Sequence, residues 1–161
     1  MKGLQHEIGK RAPFEHPEQE AYLNLLRTKS VLEGELHALF KARGLSEATY
    51  NALRILRGEL RAGADGVPCQ VIGERLITRV PDVTRLIDRL EGAGLAKRAR
   101  TPKDRRVVLV SITKKGLAAL DALDKPLLDL HKRQFRHMER SELEALNQLL
   151  VKARRPKALE E

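Results

Sequence analysis

Apolar residues recur every three or four positions through most of this chain and alternate in one short stretch only. Leu23, Leu26, Leu32, Leu36, Leu39 and Phe40 mark a long helix from Glu18 to about Arg43, with Gly44 as its stop. Ser46 caps a second helix to about Arg61 that carries Tyr50, Leu53, Leu56 and Leu60 on one face. A turn follows from Gly63 to Gly66. Val67–Leu76 reads as a short helix, with Val71, Ile72 and Leu76 inward and Pro68 at its start, where a missing N–H costs nothing. After an ITRVP connector comes another short helix, with Pro81 as its first residue and Asp82 in its first turn, where a carboxylate suits the helix dipole. Its buried stripe is Val83, Leu86, Ile87 and Leu90, with Thr84, Arg85, Asp88 and Arg89 on the other side. Gly92 and Gly94 end it.

The stretch RTPKDRRVVLVSIT lies at the centre of two predicted strands, Leu95–Arg100 and Val107–Ile112, joined by turn residues. Val107, Leu109 and the other apolar residues of the second strand anchor the hairpin. Thr113 caps a long helix bearing Leu117, Leu120, Leu123, Leu127, Leu128 and Leu130, which Pro126 should kink or break. Ser141 and Glu144 form a capping box for a last helix with Leu143, Leu146, Leu149 and Leu150. Residues 1–17 are polar, broken by Pro13 and Pro17, and read as an arm that Phe14 pins to something, such as a partner subunit. The order is α-α-α-α-β-β-α-α, a mainly α (α+β) chain. Two short helices joined by a tight connector and followed by a hairpin make a winged helix-turn-helix over residues 46–113. In that motif the second helix enters the major groove and the hairpin lies alongside. Helical segments 18–45 and 114–161 flank it.

Composition narrows the chemistry. Of 161 residues, 42% are apolar and only 3% aromatic with no Trp, so the core is aliphatic and a base-stacking platform for single strands is disfavoured. The net charge of +9 fits a polyanionic partner or an anionic surface, or a soluble protein that happens to be basic. Its distribution is what makes a patch: Arg79 to Arg106 holds nine basic and four acidic residues, a net of +5 in 28 residues. Cys69 is the single cysteine, so no intrachain disulfide forms, which fits a reducing compartment. The first residues lack an apolar signal core and no apolar run approaches a membrane span, so the chain reads as cytosolic, with no membrane partner. No G-x-S-x-G, H-E-x-x-H, P-loop or dinucleotide fingerprint occurs, which argues against an enzyme and calls for no cofactor.

The run RVPDVTRLIDRLEGAGLAKRARTPKDRRVVLVSITKKG resembles the MarR family of bacterial transcription regulators. It carries a VTRLxDRLE-like recognition helix, a GL turn into the wing, the D-x-R pair Asp104 and Arg106, the strand Val108 to Thr113 and a K-x-G. The helical order extends the resemblance over roughly residues 20–155; the first 17 have no general counterpart in the family. The resemblance implies a homodimer built from the first helix and the last two, binding a short inverted repeat in duplex DNA, usually as a repressor. It also implies release by a small, often phenolic or carboxylate, ligand, or by cysteine oxidation.

On this reading Arg85 pairs with guanine O6 and N7, and Thr84 touches a thymine methyl or a phosphate. The plain alternative for Arg85 is a solvated face or an i,i+3 pair with Asp88. Asp82 accepts from cytosine N4 or only complements the helix start. Arg79 meets phosphate, and Arg89 lies on the same outward face as Arg85. Lys103, Arg105 and Arg106 form the wing tip, where an inserted arginine suits a narrow minor groove, and the family pattern gives Asp104 the task of aiming Arg106. Lys97, Arg98 and Arg100 on the first wing strand are backbone contacts or solvated. Arg27, His37 and Tyr50 lie where an anionic aromatic effector would sit, and Cys69 at a helix start is the one candidate thiol switch. Glu33 and His37 could share a metal, but two ligands do not make a site, and no metal is called. Three other readings stay open: a constitutive or architectural DNA binder, a small enzyme using Cys69 or a histidine, and a pure protein-interaction module.

Overall fold

Four helices in this chain begin where a side chain takes up a free backbone N–H. The computed structural model of the chain describes residues 3–100 and 108–155. In order, its elements are α1 (Leu4–Glu7), α2 (Pro17–Lys41), α3 (Glu47–Arg61), β1 (Val67–Pro68), α4 (Cys69–Arg75), α5 (Val83–Gly92), β2 (Ala96–Arg100), β3 (Val108–Ile112), α6 (Lys114–Gln134) and α7 (Arg140–Ala153). The winged helix-turn-helix runs from α3 to β3, with two additions to the sequence reading. A four-residue helix sits in the arm, where Leu4 is buried and Phe14 is not. Val67 and Pro68 form a strand before the helix begins at Cys69.

Ser46 opens α3 through a reciprocal box: its Oγ accepts the Thr49 N–H at 3.2 Å, and Thr49 Oγ1 accepts the Ser46 N–H at 2.8 Å. Thr113 opens α6, its Oγ1 accepting the Gly116 N–H at 3.0 Å. Asp82 is itself the cap of α5, so Pro81 precedes the helix instead of starting it. The extended backbone at Asp82 (φ −138°) is what lets Oδ1 reach the Arg85 N–H at 2.9 Å. The last helix also starts differently from the reading above. Glu139 and Glu142 form the box, with the Glu139 N–H donated to Glu142 at 2.8 Å. Glu144 is taken by Arg140 one turn back, at 2.8 Å, which leaves Ser141 inside the helix.

The sheet order is β1-β3-β2, all antiparallel, with Val67 opposite Val110 and Arg98 also opposite Val110 from the other side. In β3 the inward residues are Val110 and Ile112, while Leu109 is half-buried and Val107 lies outside the described residues. The strand's faces alternate with period two, so the even phase holds the wing. On α3 the buried face is Tyr50, Leu53, Leu56 and Arg57, and Leu60 is 46% exposed. That face also includes Thr49 and Ala52, which turns its centre away from Leu60.

Two compact units divide after Leu127. The first has an aliphatic core of Leu53, Leu56, Ile72, Ile87, Leu90, Val110, Leu120 and Leu123, all essentially without exposure. Glycines allow close approaches in it. A Cβ on Gly116 would fall on the Leu95 carbonyl oxygen, and one on Gly73 would lie 2.8 Å from Val83 Cγ2. In the second unit α7 buries no residue, and Leu128, Leu149 and Val151 are exposed. α6 is not broken at Pro126 but continues as helix to Gln134. The proline lacks the N–H that Ala122 would receive, but Leu120, Leu123, Leu127 and Leu130 are all buried along the same helix and offset that loss.

Candidate nucleic-acid interface

The outward face of α5 is built by what its inward face must bury. Leu86, Ile87 and Leu90 are buried, and Val83 meets Gly73 of α4, so the helix-turn-helix pair is held at short range. At 100° per residue this leaves Thr84, Arg85, Asp88 and Arg89 exposed. Arg85 and Arg89 are one turn apart and line the same shallow cavity of about 310 Å³ with Ser46, Ala48, Val80, Pro81, Asp82 and Leu86. Among the described residues neither has an ion-pair partner, nor does the exposed Arg79 just before the helix. The proposed Arg85–Asp88 pair does not form. Asp88 instead accepts from Arg98 at 2.6 Å. Asp82 has the capping role, with its Oδ1 bound to the Arg85 N–H.

Arg98 does not project from its strand. Its guanidinium donates to Asp88 and to Glu91 at 2.7 Å, and to the Thr84 carbonyl at 3.2 Å, all on α5. Burial disfavours the charge of Arg98, yet the hydrogen bonds to Asp88 and Glu91 outweigh it and raise the pKa. Arg100 and Lys97 on the same strand are exposed. Lys103, Asp104, Arg105 and Arg106, the predicted wing tip, lie outside the described residues.

A buried arginine that the pattern of leucines concealed sits behind this face. Arg57 on α3 donates to both oxygens of Asp124 on α6 at 2.7 Å each, and to Asp121 at 3.2 Å. The hydrogen bond that Arg57 donates to Asp124 holds its guanidinium charged against the cost of burial, and the same bond pulls the Asp124 carboxyl below its ordinary value. The one available signal was a charge at spacing four from Leu53 and one from Leu56.

The MarR family model matches residues 45–108, the span of this reading face. The uncharacterized HTH-type transcriptional regulator YkoM of Bacillus subtilis (strain 168) is 33% identical over 120 residues, 70% of this chain and 73% of that one. A MarR transcription factor from Planctomyces limnophilus, solved by crystallography, is 40% identical with a TM-score of 0.64, covering 86% of this chain and 98% of that one. The chain belongs to the MarR family. It is a DNA-binding transcription regulator and not an enzyme. The HTH-type transcriptional repressor IacR of Pseudomonas putida is a more distant relative, 28% identical over 79 residues, 49% of this chain and 47% of its own.

In this MarR chain the three suggested effector residues have different surroundings. His37 lines a cavity of about 190 Å³ with Ser46, Glu47, Asn51, Ile77 and Thr78. Tyr50 is core, stacked on Phe40 at 4.6 Å between ring centres, its hydroxyl accepting from Arg54 at 3.1 Å. Arg27 is exposed on α2 and lies 3.6 Å from Glu7 of α1. Glu33, the suggested metal partner of His37, accepts from Lys29 at 2.5 Å. Cys69 is half-buried as the first residue of α4.

Proposed function

We propose that this MarR chain is a homodimeric, sequence-specific binder of duplex DNA that occupies an inverted repeat as a repressor. One observation carries the reading: Arg85 and Arg89 are exposed and have no ion-pair partner among the described residues, on a helix whose Leu86, Ile87 and Leu90 are buried on the opposite face. Unpaired arginines on a rigid helix are suited to base edges and phosphates. Arg79 and Thr84 extend the same surface, and the basic run Lys103 to Arg106 would reach the minor groove with Asp104 aiming Arg106. Dimerisation is supported by the apolar residues the single chain leaves uncovered: Tyr22, Leu25, Leu26 and Val31 on α2, and Leu149 and Val151 on α7.

The test is footprinting on the DNA flanking the gene, followed by salt titration of the protected duplex. The reading requires two protected half-sites with centres about one helical turn, 34–36 Å, apart. Protection of a single half-site would overturn the dimeric form.

Release by a small phenolic or carboxylate ligand belongs to the same reading, with His37 and its cavity as the entry point. A constitutive binder without effector is the second reading, and the burial of Tyr50 in the core against Phe40, with Arg27 exposed beside Glu7, favours it. Salicylate-type and benzoate-type ligands that leave operator affinity unchanged would decide for the constitutive form. Cys69→Ser with unaltered DNA release under peroxide would exclude the thiol switch.

A further inference from the structure

Arg98 was placed among the DNA contacts by its charge and its position on the wing, but every polar group of it with a partner faces the protein. Its backbone N–H donates to Glu91 at 3.1 Å, and its guanidinium reaches Asp88, Glu91 and the Thr84 carbonyl. Those three residues stand at successive turns of one stripe of α5, so a single side chain spans most of the helix. The strand side is equally fixed, since Arg98 pairs with Val110, whose side chain is wholly buried. Only 23% of the Arg98 side chain is exposed.

We propose that Arg98 is the joint that sets the wing against the recognition helix, and that it governs DNA affinity through this geometry without touching the duplex. The inference rests on the DNA-binding reading above. Two effects follow from the contacts. The wing strands and α5 are locked at one separation, which matters because the helix and the hairpin must meet neighbouring grooves together. Asp88 and Glu91 are also neutralised on a face that must approach phosphates, where an unpaired carboxylate would be repelled. The planar fork explains why arginine stands here: a lysine is a point charge and cannot bridge two carboxylates and a carbonyl with the same geometry. Arg98 is therefore a positioning residue.

The test is a double-mutant cycle on the full-length protein. Arg98→Gln and the pair Asp88→Asn/Glu91→Gln are made separately and together. Binding is read by anisotropy on the footprinted intergenic duplex and on a scrambled duplex of equal length. Arg98→Gln should weaken the footprinted duplex by about tenfold and the scrambled one far less, and in the neutralised background its further effect should shrink to about twofold or below. General destabilisation would lower both duplexes together and leave their ratio unmoved, which would overturn the proposal. So would an equal loss in both backgrounds with a salt slope reduced by about one, the signature of a phosphate contact. Arg98→Lys should recover part of the affinity for the scrambled duplex and little of the discrimination. Hydrogen exchange on the DNA-free protein decides the joint independently: the β2 amides should exchange faster in Arg98→Gln, and unchanged exchange would overturn it. If the wild-type protein bound no duplex, the DNA-binding reading would fail while the exchange result still stood.

Discussion

Arg57 on α3 keeps 5% of its surface exposed and binds both oxygens of Asp124, whereas Arg85 on α5 is exposed and has no ion-pair partner among the described residues. Both belong to the winged helix-turn-helix, and both are arginines. The difference lies in the partner each meets. The face of α3 that carries Arg57 turns toward α6, where two aspartates wait one turn apart. Of the two carboxylates three residues from Arg85, Asp88 is claimed by Arg98 and Asp82 caps the helix. A basic residue is available to DNA only after the acidic residues around it have been assigned to others.

Breaking the inward pair should have the largest effect. Arg57→Ala leaves Asp121 and Asp124 unneutralised and a gap beside Leu53 and Leu56. Because both aspartates still reach water, with 68% and 41% of their side chains exposed, the loss should be about 2–3 kcal/mol, below that of a fully buried pair. Urea unfolding measures it, and a midpoint within error of wild type would show that the pair does not hold α3 to α6. The salt slope of DNA binding by the remaining folded protein should be unchanged.

The outward arginine should behave in the opposite way. Arg85→Ala is expected to leave the urea midpoint within about 0.5 kcal/mol of wild type and to weaken operator binding by about 1–3 kcal/mol. If Arg85 reads a guanine, base preference relaxes at one position of each half-site; if it meets phosphate, all duplexes weaken alike and the slope falls by about one. Arg106→Ala, assigned to the minor groove on sequence grounds alone, should weaken binding by about 1–3 kcal/mol and lower the slope by about one. A stability loss in Arg85→Ala without a binding loss would erase the contrast with Arg57.

Between these lies Asp82, whose charge serves the helix start. Asp82→Ala should cost about 1 kcal/mol of stability through the lost cap, while Asp82→Asn or Asp82→Ser should recover most of it. If Asp82→Ser restores stability but not affinity, the carboxylate has a direct part in base reading as well.

The outward half of this contrast was visible in the sequence, and the reasons why the inward half was not are physical. The stripe of α5, the caps at Ser46 and Thr113 and the wing strands follow from local spacing, which a sequence displays directly. The strand at Val67 and Pro68 is two residues long and exists only because β3 offers it a partner, so no local pattern announces it. Leu60 and Arg57 sit three residues apart on α3, and which one turns inward depends on α6, more than sixty residues away. Arg98 looked like a DNA contact because charge and position were all that could be read; its choice of Asp88 and Glu91 is a matter of three-dimensional distance. The wing-tip assignments rest on the family pattern alone, since residues 101–107 lie outside those described.

The smallest effect is a dependence on pH, and it tests whether the Arg57 pair works through charge. Arg57 donates to Asp124 and lowers its pKa from the ordinary 3.8, with Arg54 and Arg61 adding to the pull and partial burial opposing it. A carboxyl with a lower pKa folded than unfolded binds its proton more readily when unfolded. The pair therefore adds stability above the unfolded value and loses it as pH falls through the folded one. Asp124→Asn removes that dependence while keeping the shape. The gap in urea midpoint between wild type and Asp124→Asn should be constant from about pH 7 to about pH 5 and should narrow below about pH 4. Asp121 shares the same guanidinium at 3.2 Å and is the more exposed of the two, so part of the stabilisation should survive in Asp124→Asn and disappear in the Asp121→Asn/Asp124→Asn double variant. A gap that stays constant to about pH 3 would mean that Asp124 supports Arg57 by packing and hydrogen bonding that asparagine can supply, and that the inward arginine differs from the outward one in burial alone.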